Sequence, residues 1–148
     1  MARIKLSIPE PRIFTALIPV RITDINYGNH LGNDALVSIL HEARMQWLAS
    51  ANYTELNIGG AALIMSDLAV TYKAESFYGD ILSVSIAVAE VQKVSFEIYY
   101  EVITRRGDKS ILIAQAKTGM VCYDYGAKKV AMLPEAFVEF MKAVTKDH

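Results

Sequence analysis

The hydrophobic positions change period twice along the chain, and each change marks an element. Phe14 to Thr23 is rich in β-branched and apolar residues and predicts a first strand, with Pro19 placing it at an edge or a bulge. Asp24 to Asn33 breaks the pattern with two glycines and several asparagines, which is loop chemistry. From Asp34 to about Ala51 the period becomes helical, with Leu36, Leu40, Ala43, Trp47 and Ala51 on one face. Val37, Ile39, Met45 and Leu48 add apolar groups on other sides, so this helix is expected to be largely buried. Asn33 or Asp34 is the expected cap, since either offers an oxygen to the first free amides.

From residue 61 the period is two. Ala61 to Ala74 predicts a long strand, and Ser76 to Asp80, with Gly79, predicts a turn. Leu82, Val84, Ile86 and Val88 alternate with small residues. Val94, Phe96, Ile98, Tyr100 and Val102 then alternate with polar ones, so each strand has one buried face. Arg105 to Lys109 closes a hairpin around Gly107, and Ile111 to Tyr125 predicts another strand. Pro134 opens a last helix at its first position, with Phe137, Phe140, Met141 and Val144 as its stripe. Consecutive strands on tight turns form an antiparallel sheet, and a helix apolar nearly all round asks for a sheet curled about it. The expectation is α+β: five to six curled antiparallel strands around one central helix.

Composition narrows the class. The 148 residues make one domain, 1–148, with 1–12 as a lead-in arm. The hydrophobic fraction of 53% leaves apolar surface for a subunit interface. Fifteen basic and sixteen acidic residues nearly cancel, which argues against nucleic acid as a partner. The single cysteine, Cys122, excludes an internal disulfide and a cysteine zinc site, and fits a small core residue in a reducing cytoplasm. No membrane span or signal peptide is expected.

The chemistry concentrates between the first strand and the helix, where Arg21, Asp24, Asn26, His30 and Asn33 fall within thirteen residues. A helix N-terminus offers free amides and partial positive charge, which can hold the oxyanion that develops on a thioester carbonyl. A carboxylate could attack that carbonyl or activate water, and a histidine could take and return a proton. A loop of this composition also serves simply as a capped turn. His41 and Glu42 lie in the helix, where solvated or locally paired side chains are the plain expectation. Lys73, Arg105 and Arg106 are first of all solvated charges, with Lys73 kept as a candidate for a ligand phosphate. Ser66 and Asp67 interrupt an apolar strand and call for partners, either a ligand or a second subunit.

The stretch from Arg21 through Asp24, Asn26 and His30 to Asn33 resembles the signature of the 4-hydroxybenzoyl-CoA thioesterase branch of hotdog-fold proteins, roughly R-x-x-D-x-D-x-x-x-H-V-N-N. His41-Glu-Ala-Arg44 resembles that family's helix element, and the runs at Val70, Tyr78 and Val121 are also similar, so the likeness spans about residues 14–140. It implies a hotdog fold, a homodimer or homotetramer, and an acyl-CoA bound at the subunit interface and hydrolysed without metal or redox cofactor. With the reading of the residues, it makes Asp24, Asn26, His30 and Glu42 the catalytic candidates and Tyr27, Gly28 and Asn33 substrate-binding ones, beside Ser66 and Lys73, which the residues themselves single out. One position departs: Asn26 stands where the family keeps its catalytic aspartate, so Asp24 or Glu42 is the expected base, with His30 and Asn26 positioning substrate and water, Asn33 and the helix amides binding the carbonyl, and His30 a further possible base. That change also raises a second function, an acyl-CoA or acyl-carrier binding protein that does not hydrolyse. A dehydratase ranks below both, since no histidine is followed by the proline-glycine pattern those enzymes carry.

Overall fold

The computed structural model describes residues 3–143. Val144, expected on the last helical stripe, lies outside the described residues. The chain runs through β1 (Phe14–Pro19), a short 3-10 turn (Ile22–Asp24), α1 (Asn33–Ala49), β2 (Ala62–Tyr72), β3 (Ile81–Ala89), β4 (Ser95–Arg106), β5 (Lys109–Asp124), β6 (Lys129–Val130) and α2 (Glu135–Lys142). Strand order across the sheet is β1-β3-β4-β5-β2, with β6 added to β5, and every pairing is antiparallel. The sheet is open, and α1 lies on its concave face, as the hotdog fold requires.

The alternation predicted for β4 holds along its length. Phe96, Ile98, Tyr100 and Val102 are fully buried against α1, while Glu97, Tyr99 and Glu101 face outward. The tight hairpin at Gly107, in the left-handed region at φ 64°, also forms as expected. The run from Ser76 to Asp80 behaves differently. It does not join neighbours in a meander: β2 pairs with β5, and β3 lies between β1 and β4. The segment is a crossover from one margin of the sheet toward the other. Asp80 holds it by accepting from Ser76 Oγ at 2.8 Å, from Phe77 N at 2.9 Å and from Arg106 Nη2 at 2.7 Å. Arg106 is therefore not a free surface charge, and its guanidinium also covers the Phe77 ring.

Three local expectations about the helices change. Gly32, not Asn33 or Asp34, is the N-cap of α1, and no side chain caps that end. A Cβ at Gly32 would lie 2.8 Å from Asp34 Oδ1, so a side chain at the cap would have to displace that carboxylate. Pro134 is likewise the N-cap of α2 and not its first residue. Nor is α1 buried all round. Leu36, Ile39, Leu40, Ala43, Trp47 and Leu48 pack inward, but Asp34, Ser38, His41, Glu42 and Ala49 form an exposed stripe.

One continuous core joins the concave sheet face to α1. Trp47, Tyr53, Phe96, Phe137 and Phe140 close its far end as a cluster of ring pairs 5.1–6.2 Å apart. Cys122 is fully buried there. The lead-in arm is tied down: Arg12 donates to Ser85 and Glu101 on β3 and β4, and Arg3 donates to the carbonyl of Tyr72. No helix among the described residues is long and apolar enough to cross a membrane.

Candidate functional site at the start of the central helix

The loop from β1 to α1 is built by its own backbone. Asn26 N donates to the His30 carbonyl at 2.9 Å, and Gly32 N donates to the Asp24 carbonyl at 3.0 Å. Asn29 takes φ 67°, a left-handed conformation that asparagine tolerates. Leu31 N reaches the carbonyl of Ser76 at 2.7 Å, which fixes the loop to the crossover after β2. The Asn26 side chain serves this turn, with Oδ1 accepting from Gly28 N at 2.9 Å and His30 N at 3.4 Å. Its amide nitrogen remains available as a donor.

The residues singled out from sequence divide between two cavities that flank the helix. His30, Asn33 and Lys73 share the first, of about 250 Å³, with Gly32, Tyr72 and Glu75. Asp24 and Glu42 share the second, of about 310 Å³, between β1 and α1. Tyr27 stands fully exposed, and Asn26, Tyr27 and Gly28 border neither cavity. Ser66 sits with Asp67 at a bulge in β2, over the outer sheet face beside Glu97 and Lys117, away from both. Both side chains are exposed there, and not buried in the strand as the apolar run had suggested. The bulge explains their outward aim: Asp67 Oδ1 accepts from Gly119 N at 2.9 Å, and a Cβ at Gly119 would lie 2.4 Å from that oxygen.

Burial and pairing separate the candidate bases. Asp24 is buried, and both of its oxygens are taken by Arg21: the backbone N and Nε donate to Oδ2, and Nη2 donates to Oδ1. This pair clamps the 3-10 turn and leaves little lone-pair capacity for a proton. Glu42 is exposed and accepts from Gln46 one turn on. His30 differs. Its Nδ1 lies 3.1 Å from the Leu31 carbonyl, which can only accept, so Nδ1 is the donor, and in the neutral ring Nε2 is the nitrogen with the lone pair. Nε2 points toward Glu75, whose Oε1 is 3.9 Å away.

The helix start completes the first cavity. The first intrahelical bond runs from Leu36 N to the Gly32 carbonyl, so the amides of residues 33, 34 and 35 precede it and are free of it. Tyr72 donates to the Asn33 carbonyl at 3.0 Å and roofs this turn. Burial, and secondarily the nearby Asp34, push the Tyr72 phenol above its usual range, so it stays a neutral donor. Tyr72 and Glu75 are site residues that sequence reading passed over. They fall at the end of a strand pattern, where periodicity assigns faces but no neighbours.

An open curled sheet, a central helix with its amino end uncovered, and a histidine beside free amides define a hotdog protein of the thioesterase type. The chain belongs to the thioesterase-like superfamily, whose family model matches residues 20–141. At the level of that family the chemistry is thioester hydrolysis. Among solved structures it is similar to a 1,4-dihydroxy-2-naphthoyl-CoA thioesterase from Synechocystis, with 25% identity, a TM-score of 0.77, and 86% of this chain and 94% of that chain covered. It is also similar to an aspartate-to-asparagine mutant of 4-hydroxybenzoyl-CoA thioesterase in complex with 4-hydroxybenzoyl-CoA. The identity there is 15% and the TM-score 0.80, over 89% of this chain and 100% of that one. A probable thioesterase from Escherichia coli follows at 18% identity and a TM-score of 0.73, over 89% and 98%. No curated protein matches in sequence.

Proposed function

We propose that the protein is an acyl-CoA thioesterase, hydrolysing an acyl-CoA to the free acid and coenzyme A, with His30 as the base. The observation that carries this is His30, with Nε2 free of the Leu31 carbonyl, in one cavity with Asn33, the first residue of α1, whose amide precedes the first helical bond. The thioester carbonyl oxygen lies against the amides that open α1, where the helix dipole favours negative charge. Water between His30 Nε2 and the carbonyl carbon loses its proton to Nε2 as it attacks. Glu75 faces the imidazolium that forms. Collapse of the tetrahedral adduct breaks the carbon–sulfur bond, and the His30 proton returns to the departing thiolate. Asn26 holds the turn that carries His30, which is a positioning role, and Lys73 meets a coenzyme A phosphate at the cavity mouth. Asp24 holds Arg21 and the turn in place, which is a positioning role.

The working form is a homodimer, made by pairing β2 with a second copy. Among the described residues β2 pairs only with β5, and its other edge runs for eleven residues beside exposed Ile64, Met65, Leu68 and Tyr72. A long apolar edge of this kind is a template for another strand. A cytoplasmic location and the absence of a bound cofactor are part of the same proposal.

Asn26 favours one competing reading, an acyl-CoA binding protein without turnover. Thiol release from a panel of short, long and aromatic acyl-CoAs separates the two. Release above background supports hydrolysis. Saturable binding without release, with activity gained in Asn26→Asp, supports the competitor.

A further inference from the structure

A third cavity, of about 280 Å³, lies farther along α1, and two donors on its floor have no acceptor among the described residues. Val37, Leu40, Leu63, Met65 and Leu68 form its apolar side, and Ser38, His41 and Glu55 line the rest. Its floor is Arg44 and Thr118, which are 6% and 1% exposed. Arg44 Nε donates to Glu55 Oε2 at 2.6 Å, and Nη1 donates to Tyr100 Oη at 3.0 Å. Nη2 has no acceptor among the described residues.

Proton counting then fixes the direction of the next bond. Tyr100 is fully buried, and its oxygen already accepts from a guanidinium that can only donate. Tyr100 must therefore give its single proton to Thr118 Oγ1, 2.8 Å away, because the reverse direction would strand a phenolic hydrogen in the core. The hydroxyl hydrogen of Thr118 is left to point into the cavity. The chain from guanidinium through phenol to hydroxyl ends as a donor, and Arg44 Nη2 adds a second. Glu55 already pairs with Arg44 through Oε2 and meets His41 Nε2 through Oε1 at 2.7 Å, so a further anion would sit against the Glu55 carboxylate with both of its partners taken.

We infer that this cavity reads a neutral oxygen acceptor, a keto or hydroxyl oxygen, on the far part of the acyl group, and that Thr118 determines this specificity. The inference rests on the thioesterase reading and deepens it. The cavity follows the first one along α1 and β2. Asn33, Leu36 and Tyr72 border the first cavity, and Val37, Leu40 and Leu68 border this one, farther along the same helix and strand. Asn33 and Arg44 are eleven residues apart, so about 16 Å of helix separates carbonyl site from donor floor. A plain alkyl chain would fill the apolar walls but leave both donors unmet.

The test compares matched pairs of acyl-CoAs of medium to long chain, each alkyl chain against the same chain with a keto oxygen near its end. Hydrolysis by wild-type protein and by Thr118→Val and Thr118→Ser is read as the oxo-to-alkyl ratio of kcat/KM. The expected ratio is about tenfold or more at the best length, falling to about one or below in Thr118→Val and kept in Thr118→Ser. Calorimetric binding of the same pairs is read in parallel, so a protein without turnover still yields the ratio. Turnover or binding of both members with no oxo preference at any length overturns the inference and leaves the thioesterase reading standing. Absence of turnover with the oxo preference intact in binding overturns hydrolysis alone. Binding of neither member overturns both.

Discussion

Replacing Glu55 by leucine should destabilise the fold far more than an ordinary loop substitution, because it leaves Arg44 as a buried charge without its partner. Arg44 has a side chain 8% exposed, and Glu55 one 21% exposed, in a bond of 2.6 Å. Burial works against the Arg44 charge, but its bonds to Tyr100 and Glu55 outweigh this and hold its pKa above the usual arginine value. Removing one member of a buried pair costs roughly 3–5 kcal/mol, and water reaching Glu55 places this site near the lower end, about 3 kcal/mol. With a urea m-value of about 2 kcal/mol/M, the midpoint should fall by about 1.5 M at unchanged m. The corresponding thermal shift is about 6–12 °C for a chain of this size, compared at one protomer concentration. Arg44→Met combined with Glu55→Leu should recover at least half of the loss, since no unpaired charge then remains. A single-variant loss below about 1 kcal/mol, or a double variant worse than the single, would refute the argument. The same outcome would remove the electrostatic support for the buried donor relay.

Three further outcomes follow from named contacts. The Asp80 carboxyl is held below its ordinary pKa: burial opposes this, but bonds from Arg106, Phe77 N and Ser76 outweigh it. Its stabilisation is therefore complete above the unfolded value of about 3.9 and lost as pH falls through the lower folded value, so Asp80→Asn should flatten the acid limb of a stability-versus-pH curve. Gly119→Ala should cost about 1 kcal/mol in urea melts by displacing Asp67 from the β2 bulge, and a loss above about 3 kcal/mol would mean that the backbone itself had to move. Ile64→Lys with Leu68→Lys should convert a dimer to a monomer in light scattering, since pairing at β2 would bring four like charges together, and an unchanged mass would place the interface elsewhere.

The sequence was most legible where one periodic signal decided the structure. β3, β4 and the buried face of α1 follow from alternation and helical spacing, because burial of one face is a local consequence of pattern. Pairing order was not legible in the same way. The turn at Ser76 to Asp80 looks like a hairpin, but the side chains that make it a crossover, Asp80 and Arg106, are twenty-six residues apart. The site was half legible. The loop from Arg21 to Asn33 marked the right end of the helix, and His30 and Asn33 do meet Lys73 in one cavity. Composition could not tell that Asp24 is consumed by Arg21, or that Ser66 is turned to the outer face by a bulge. Both facts depend on side-chain aim, which spacing does not encode. Glu75 and Tyr72 were missed for the same reason.

The proposed hydrolysis turns on His30, and one measurement addresses it directly. Steady-state thiol release should be compared between wild-type protein and a folded His30→Gln variant on the best acyl-CoA of the panel. Loss of one positioned general base predicts that kcat falls by about a hundredfold or more while KM changes little. A variant that retains kcat within about threefold would contradict the assignment and move the base to another residue of the two flanking cavities.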